Sequence, residues 1–182
     1  MGDERRPDRT RWIHVPLLAF GALVLLAPVQ VVAQGAGCVL QPAGFPSRQV
    51  IRCGTGLSVE ATAGADYTLV DHNKDTVPDA VDLRAGAVFV HAPARAGGRG
   101  FRVQTPQAIA AVRGTDWAVD AGSGKTSVFV VAGRVAVQRA RGGRGVTLGP
   151  GDGVDVEAGT APLQVKRWSA ERAAALLARF GR

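Results

Sequence analysis

From about residue 57 onward the chain alternates apolar and polar side chains with a period of two, in short runs that are almost always broken by glycine. This pattern constrains the fold more than any other feature of the sequence. A period of two puts every second side chain on one face of an extended strand, and runs of three to five residues are too short for helices. Strands are expected at 57–61, 67–70, 87–90, 101–103, 117–119, 127–131, 135–137, 146–148 and 154–156. An internal echo joins them. Residues 83–90 and 130–137 share a strand, glycine, strand pattern at a spacing of 47, and 148–156 repeats it with one extra residue. Gly86, Gly133 and Gly151 hold the corners. Glycine reaches backbone angles closed to other residues, so the chain can fold back and aim the next alternating run at the same core. The expected fold is all-β: a rolled or solenoid-like stack of short strands, resembling a β-sandwich, with one amphipathic helix at the C-terminus.

That helix is expected within 167–182. Ser169 is placed to cap it, Glu171 falls in the first turn, and Gly181 lies where it should stop. Ala173, Leu176, Leu177 and Phe180 fall on one face, with Arg172 and Arg179 outside the stripe. The helix is expected to cover an open end or edge of the β body. Contact with a membrane surface through its basic side is the alternative.

At the other terminus, four arginines at positions 5, 6, 9 and 11 precede an apolar run over 15–27, followed by Pro28 and small Ala33. A charged start, an apolar stretch and a small residue before the junction make a secretory signal peptide over 1–33. The mature chain would start at Gln34 and be periplasmic or secreted. Retention of the segment as an uncleaved anchor is the competing reading. Removing 1–33 leaves 18 basic and 12 acidic side chains, a net charge of +6. For an exported chain this favours anionic envelope surfaces or acidic partners over nucleic acid. Cys38 and Cys53, the two cysteines, fit an oxidising compartment. They flank a strand, a Pro/Gly turn region and a second strand, so 34–57 reads as a disulfide-closed strand-loop-strand. A bridge there closes a 16-residue loop and is worth on the order of 3 kcal/mol in the loop-entropy model.

Three segments carry candidate chemistry. Gly122, Gly124, Lys125 and Thr126 imitate the end of a phosphate-binding loop, but Val119 stands where its first glycine belongs and a strand follows, so a hairpin turn is expected. In 71–82, Asp71, Asn73, Asp75, Asp79 and Asp82 fall at positions 1, 3, 5, 9 and 12 of a calcium-loop spacing. Thr76 replaces the usual glycine and Lys74 brings opposing charge. A solvated acidic turn and a calcium site both remain open; calcium is the one cofactor the sequence suggests. The histidines, His14, His72 and His91, give no nucleophile, base and orienter set, so no enzyme is expected.

Residues 101–156 carry the most specific pattern. A strand ends in Thr105-Pro106 and leads into Val112-Arg113-Gly114-Thr115 and then Trp117; Gly133 and Gly151 follow in the later corners. This resembles the core signature of FecR-like domains. The resemblance implies an extracytoplasmic all-β module spanning 58–166. Regulatory members place it after a cytoplasmic anti-sigma segment and a membrane helix, and it receives a signal from an outer-membrane transporter. Only 11 residues precede the stretch that begins at Trp12 and contains the apolar run, so direct sigma-factor binding is not expected. Arg113 is expected to be buried among backbone carbonyls beside Gly114, with a structural role. The expected function is a non-catalytic sensing or protein-interaction module in the envelope. Its partner would be an envelope protein, membrane-spanning or in the outer membrane. The alternative is a basic protein that binds envelope polymer or a membrane surface.

Overall fold

A computed structural model describes residues 37–94 and 100–182. The segment expected to be a signal peptide, 1–33, lies outside them. Thirteen strands and one helix follow in order: β1 Cys38–Ala43, β2 Arg48–Cys53, β3 Ser58–Thr62, β4 Asp66–Val70, β5 Ala80–Ala92, β6 Phe101–Gln104, β7 Ala108–Val112, β8 Thr115–Gly122, β9 Lys125–Ala132, β10 Val135–Arg139, β11 Val146–Leu148, β12 Asp152–Glu157, β13 Lys166–Arg167 and α1 Ala170–Ala178. The all-β expectation holds.

Strand β5 organises the rest. Its first half pairs antiparallel with β4 and parallel with β6, while its second half pairs antiparallel with β3 and β8. Gly86, at φ 86°, marks the bend between the halves. Leu83 before it and Val88 and Val90 after it all face the main core, so side-chain parity reverses at the bend. A reversal of this kind lets one strand serve two sheets around one core. The larger sheet runs β1, β2, β3, second half of β5, β8, β9, β12, β13; the smaller runs β4, first half of β5, β6, β7, β10, β11. The echoed corners have the same job. At Gly133 the chain leaves β9 in the larger sheet for β10 in the smaller, and at Gly151 it returns from β11 to β12. The repeated motif therefore marks crossings between the sheets, which is how the structure rolls.

Between the sheets lie Trp117, Ile51, Leu83, Leu148 and a set of valines, all essentially unexposed. The outer face of the larger sheet carries a second apolar cluster, in which Leu176 of α1 and Phe180 just after it pack on Ala87, Phe89, Ala118 and Phe129. Ser169 caps the helix by accepting the Arg172 N–H, Arg179 caps its other end, and Gly181, at φ 73°, lies in the turn that follows. The helix thus covers a sheet face, where an end or edge was expected. A flat face carrying two phenylalanines offers more apolar area than an edge, and burial scales with area.

Candidate functional site

Thr105 sits at the turn between β6 and β7. Its hydroxyl accepts the Ala108 N–H at 2.9 Å, and its own N–H donates to the Ala108 carbonyl at 2.8 Å. The Thr126 hydroxyl lies 2.7 Å from that of Thr105 and donates to Gln107 Oε1 at 2.9 Å. Both threonines are buried. Pro106 follows in the turn, where a missing N–H costs nothing. The network ties a hairpin of the smaller sheet to β9 of the larger.

Gly114 and Thr115 meet Gly133 at the opposite end of the strands. A Cβ on Gly133 would strike the Gly114 carbonyl and come within 2.8 Å of Thr115 Oγ1; one on Gly114 would come within 2.9 Å of the Ala94 methyl. Thr115 Oγ1 donates to the Arg134 carbonyl at 3.1 Å. Two sheet-crossing corners therefore pack backbone against backbone, with room only for glycine. Trp117 fills the core beside them, and its Nε1 has no hydrogen-bond partner among the described residues. Gly151 faces the Arg167 guanidinium, which donates to the Pro150 carbonyl. Arg113 departs from expectation: its side chain is exposed. It occupies the short corner between β7 and β8, where Gly114, at φ 68°, turns the chain so that Val112 and Thr115 both face inward and the Arg113 side chain is left outside.

The bridge Cys38–Cys53 is present and joins directly opposed residues of β1 and β2. Gly122 and Lys125 flank a two-residue hairpin, Ser123 and Gly124 both having positive φ, so the resemblance to a phosphate loop is a turn. In the acidic segment, Asp71 accepts the Thr76 N–H at 2.8 Å, Asn73 the Asp75 N–H at 3.1 Å and Asp75 the Val77 N–H at 2.9 Å. Asp79 pairs with His72 at 2.6 Å, whose other ring nitrogen accepts from Arg102 at 2.8 Å. Asp82 lies within β5, between Thr68 and Gln104. Among the described residues no group of three or more His, Cys, Asp or Glu is placed to hold a metal ion. His91 and Asp116 also pair, at 2.5 Å across β5 and β8 on the surface.

Sequence reasoning missed what α1 does with its charges. Arg172 and Arg179, expected to face outward, bind the sheet: Arg172 to Asp155 at 2.6 Å and Arg179 to Asp120 at 3.0 Å. Arg182 reaches Glu60 on β3 at 2.9 Å, where Arg48 also binds at 2.8 Å. Burial pushes the Glu60 carboxyl up, but the hydrogen bonds from Arg182 and Arg48 outweigh it and hold the group below the usual range. Asp155 is likewise pushed up by burial and held low overall by Arg172, Ser127 and Lys125. Arg172 also lies 3.6 Å over the Trp168 ring, itself stacked on Phe129. Beside Trp168 a groove of about 290 Å³ runs between β12 and residues 158–166, lined by Arg139, Asp155, Glu157, Gln164 and Lys166. Among the described residues no helix is long and apolar enough to cross a membrane.

Residues 47–136 match the family model described as FecR protein. No curated protein matches the chain significantly. Two crystal structures of a candidate anti-sigma factor from Parabacteroides distasonis share its fold. One is 22% identical with a TM-score of 0.58, over 71% of this chain and 60% of that one. The other is 20% identical with a TM-score of 0.59, over 77% and 64%. The chain thus spans less than two thirds of either solved protein, and at these identities the likeness is one of fold.

Proposed function

Residues 47–136 of the chain are a FecR-family domain, and from that premise we propose that the protein is a non-catalytic module that senses or binds another protein in the cell envelope. The carrying observation is where the signature side chains go. Thr105, Gly114, Thr115, Trp117 and Gly133 are spent on crossing between sheets and filling the core, so the motif builds a scaffold and leaves binding to the surface. The disulfide supports an oxidising compartment. The fold shared with a candidate anti-sigma factor supports a regulatory role.

Cross-linking in cells followed by affinity capture and mass spectrometry tests this reading. An envelope protein held at stoichiometric yield is expected. Turnover of a substrate by the purified chain, or direct capture of a sigma factor, overturns it. Cell fractionation with intact mass checks export and cleavage near Gln34.

Exposed Arg134, Arg141 and Arg144 favour a second reading, binding to an anionic envelope polymer or membrane surface. Steep loss of binding with salt would mark it. In that case the loop arginines carry the contact, because Arg172 and Arg179 of α1 are already bound to the sheet.

A further inference from the structure

The proposed function requires a surface that takes a protein partner, and the edge of the larger sheet supplies one. Strand β13 pairs with β12 only at Asp152 and Gly153. Beyond Gly153 the outer edge of β12 has no neighbouring strand among the described residues. The Trp168 N–H donates to the Gly151 carbonyl at 3.1 Å, which fixes the parity of this ladder. Antiparallel bonding alternates sides, so the peptide groups of Gly153, Asp155 and Glu157 point outward while those of Val154 and Val156 serve β9. Asp155 and Glu157 thus present backbone to the groove of about 290 Å³. Arg139 takes the Glu157 carbonyl and the Ala161 carbonyl, which leaves the Asp155 N–H and carbonyl and the Glu157 N–H for a neighbouring strand.

The edge at β1 is different. There the Gly54 N–H donates to the Gly37 carbonyl, so Cys38, Leu40 and Pro42 face outward, and Pro42 has no N–H to give. Proline at an outward position blunts an edge against strand addition. The β12 edge carries no such block.

Resting on the interaction reading above, we propose that this slot takes the C-terminal segment of a partner polypeptide, added as a strand antiparallel to β12. Both neighbours of β12 run antiparallel to it. A strand added in that sense enters from Glu157 and must stop at Gly153, because β13 already occupies the edge there. A chain that ends at that point needs no turn. Its carboxylate falls beside Lys166, a cation without an ion pair among the described residues, opposite Gly153. Two residues earlier the incoming side chain lies across from Glu157, also without an ion pair, which calls for Arg or Lys. The groove lies at the lower end of ligand-pocket volumes, roughly 300–1,000 Å³, which suits a short chain end better than a folded surface. Recognition follows strand addition: backbone bonds give affinity, and the two charges set direction and register.

The test uses the full chain with its disulfide intact and the tetrapeptide acetyl-Ala-Arg-Ala-Val, as the free acid and as the C-terminal amide. Amide resonances of Asp155, Glu157 and Lys166 are followed by NMR. The free acid should shift them, the amide should bind about tenfold more weakly, and Lys166→Gln should bring the acid down to the level of the amide. Glu157→Pro should abolish binding of both while melting like the wild type, because the N–H it removes points away from β9. No shift at millimolar peptide overturns the slot, and equal binding of acid and amide overturns capture of a chain end. Cross-linking separates this from the broader reading: a partner kept by Glu157→Pro overturns the slot and leaves the interaction module standing, whereas no partner for either form overturns both.

Discussion

Glycines at the sheet-crossing corners show how a single missing Cβ sets the fold. Gly133 combines φ 85° with contact to the Gly114 carbonyl and Thr115, whereas Gly124 has φ 73° and open space around it. A side chain at Gly124 meets only the left-handed penalty of about 1–2 kcal/mol. One at Gly133 must also separate two packed corners, which raises the cost to roughly 3–4 kcal/mol. Gly133→Ala is therefore expected to lose at least twice the stability lost by Gly124→Ala, measured by urea denaturation of both. Neither the close approach nor its partner is visible from one sequence position. The two corners are separated by β8 and β9, and only the folded chain brings Gly114 under Gly133. Arg113 teaches the same lesson in reverse. Its neighbours and its place in the motif suggested burial, and its position in the corner put it outside.

The C-terminal helix is the element whose role changed most between sequence and structure. Its capping residues, apolar stripe and stop were legible, since each depends on neighbours within a turn or two. Its acceptors were not, because Asp155, Asp120 and Glu60 come from three separate strands. Those pairs make its docking depend on pH. Glu60 and Asp155 have folded-state pKa values below their ordinary ones, so their contribution is full above the unfolded values, roughly pH 4, and is lost as pH falls through the folded ones. The melting temperature should hold between pH 7 and 5 and drop below about pH 4, with dye binding reporting exposure of Phe89 and Phe129. Glu60→Gln should lower stability at pH 7 and flatten the acid limb. The acidic segment 71–82 is the contrasting element. Its Asp79 accepts from the ring and the N–H of His72 and its Asp82 sits in β5 between Thr68 and Gln104, so among the described residues no three of its acidic or histidine side chains converge. Millimolar calcium, compared with EDTA, is accordingly expected to leave the melting temperature unchanged. A calcium-dependent rise, abolished by Asp71→Ala, would support the calcium reading.

At the scale of the molecule, two sheets sharing one strand are closed from outside by the helix and at the β1 edge by a disulfide. The bridge joins opposed residues of neighbouring strands and acts chiefly by restraining the unfolded chain. Reduction should lower stability by on the order of 3 kcal/mol without changing the circular dichroism of the strands. Collapse of the whole domain on reduction would show that β1 and β2 are needed to nucleate the larger sheet. The disulfide and α1 both stabilise the larger sheet, leaving the outer edge of β12 as its open side.

The sequence by itself determined the strands with clear alternation, the corners at Gly86, Gly133 and Gly151, the hairpin at Gly124, the cysteine pair and the helix with its caps. All of these follow from local rules of period, backbone angle and spacing. It did not reveal β7, whose run of alanine, isoleucine and valine lacks alternation, or the start of β5 at residues 80–82, which lies inside the acidic segment. Tertiary structure alone decided that one strand would serve both sheets, that the helix would lie on a face, which carboxylates its arginines would meet and which edge would stay open. Those outcomes depend on contacts between residues far apart in the chain. Their free energy exists only once the sheets have closed on each other, so no local pattern records them.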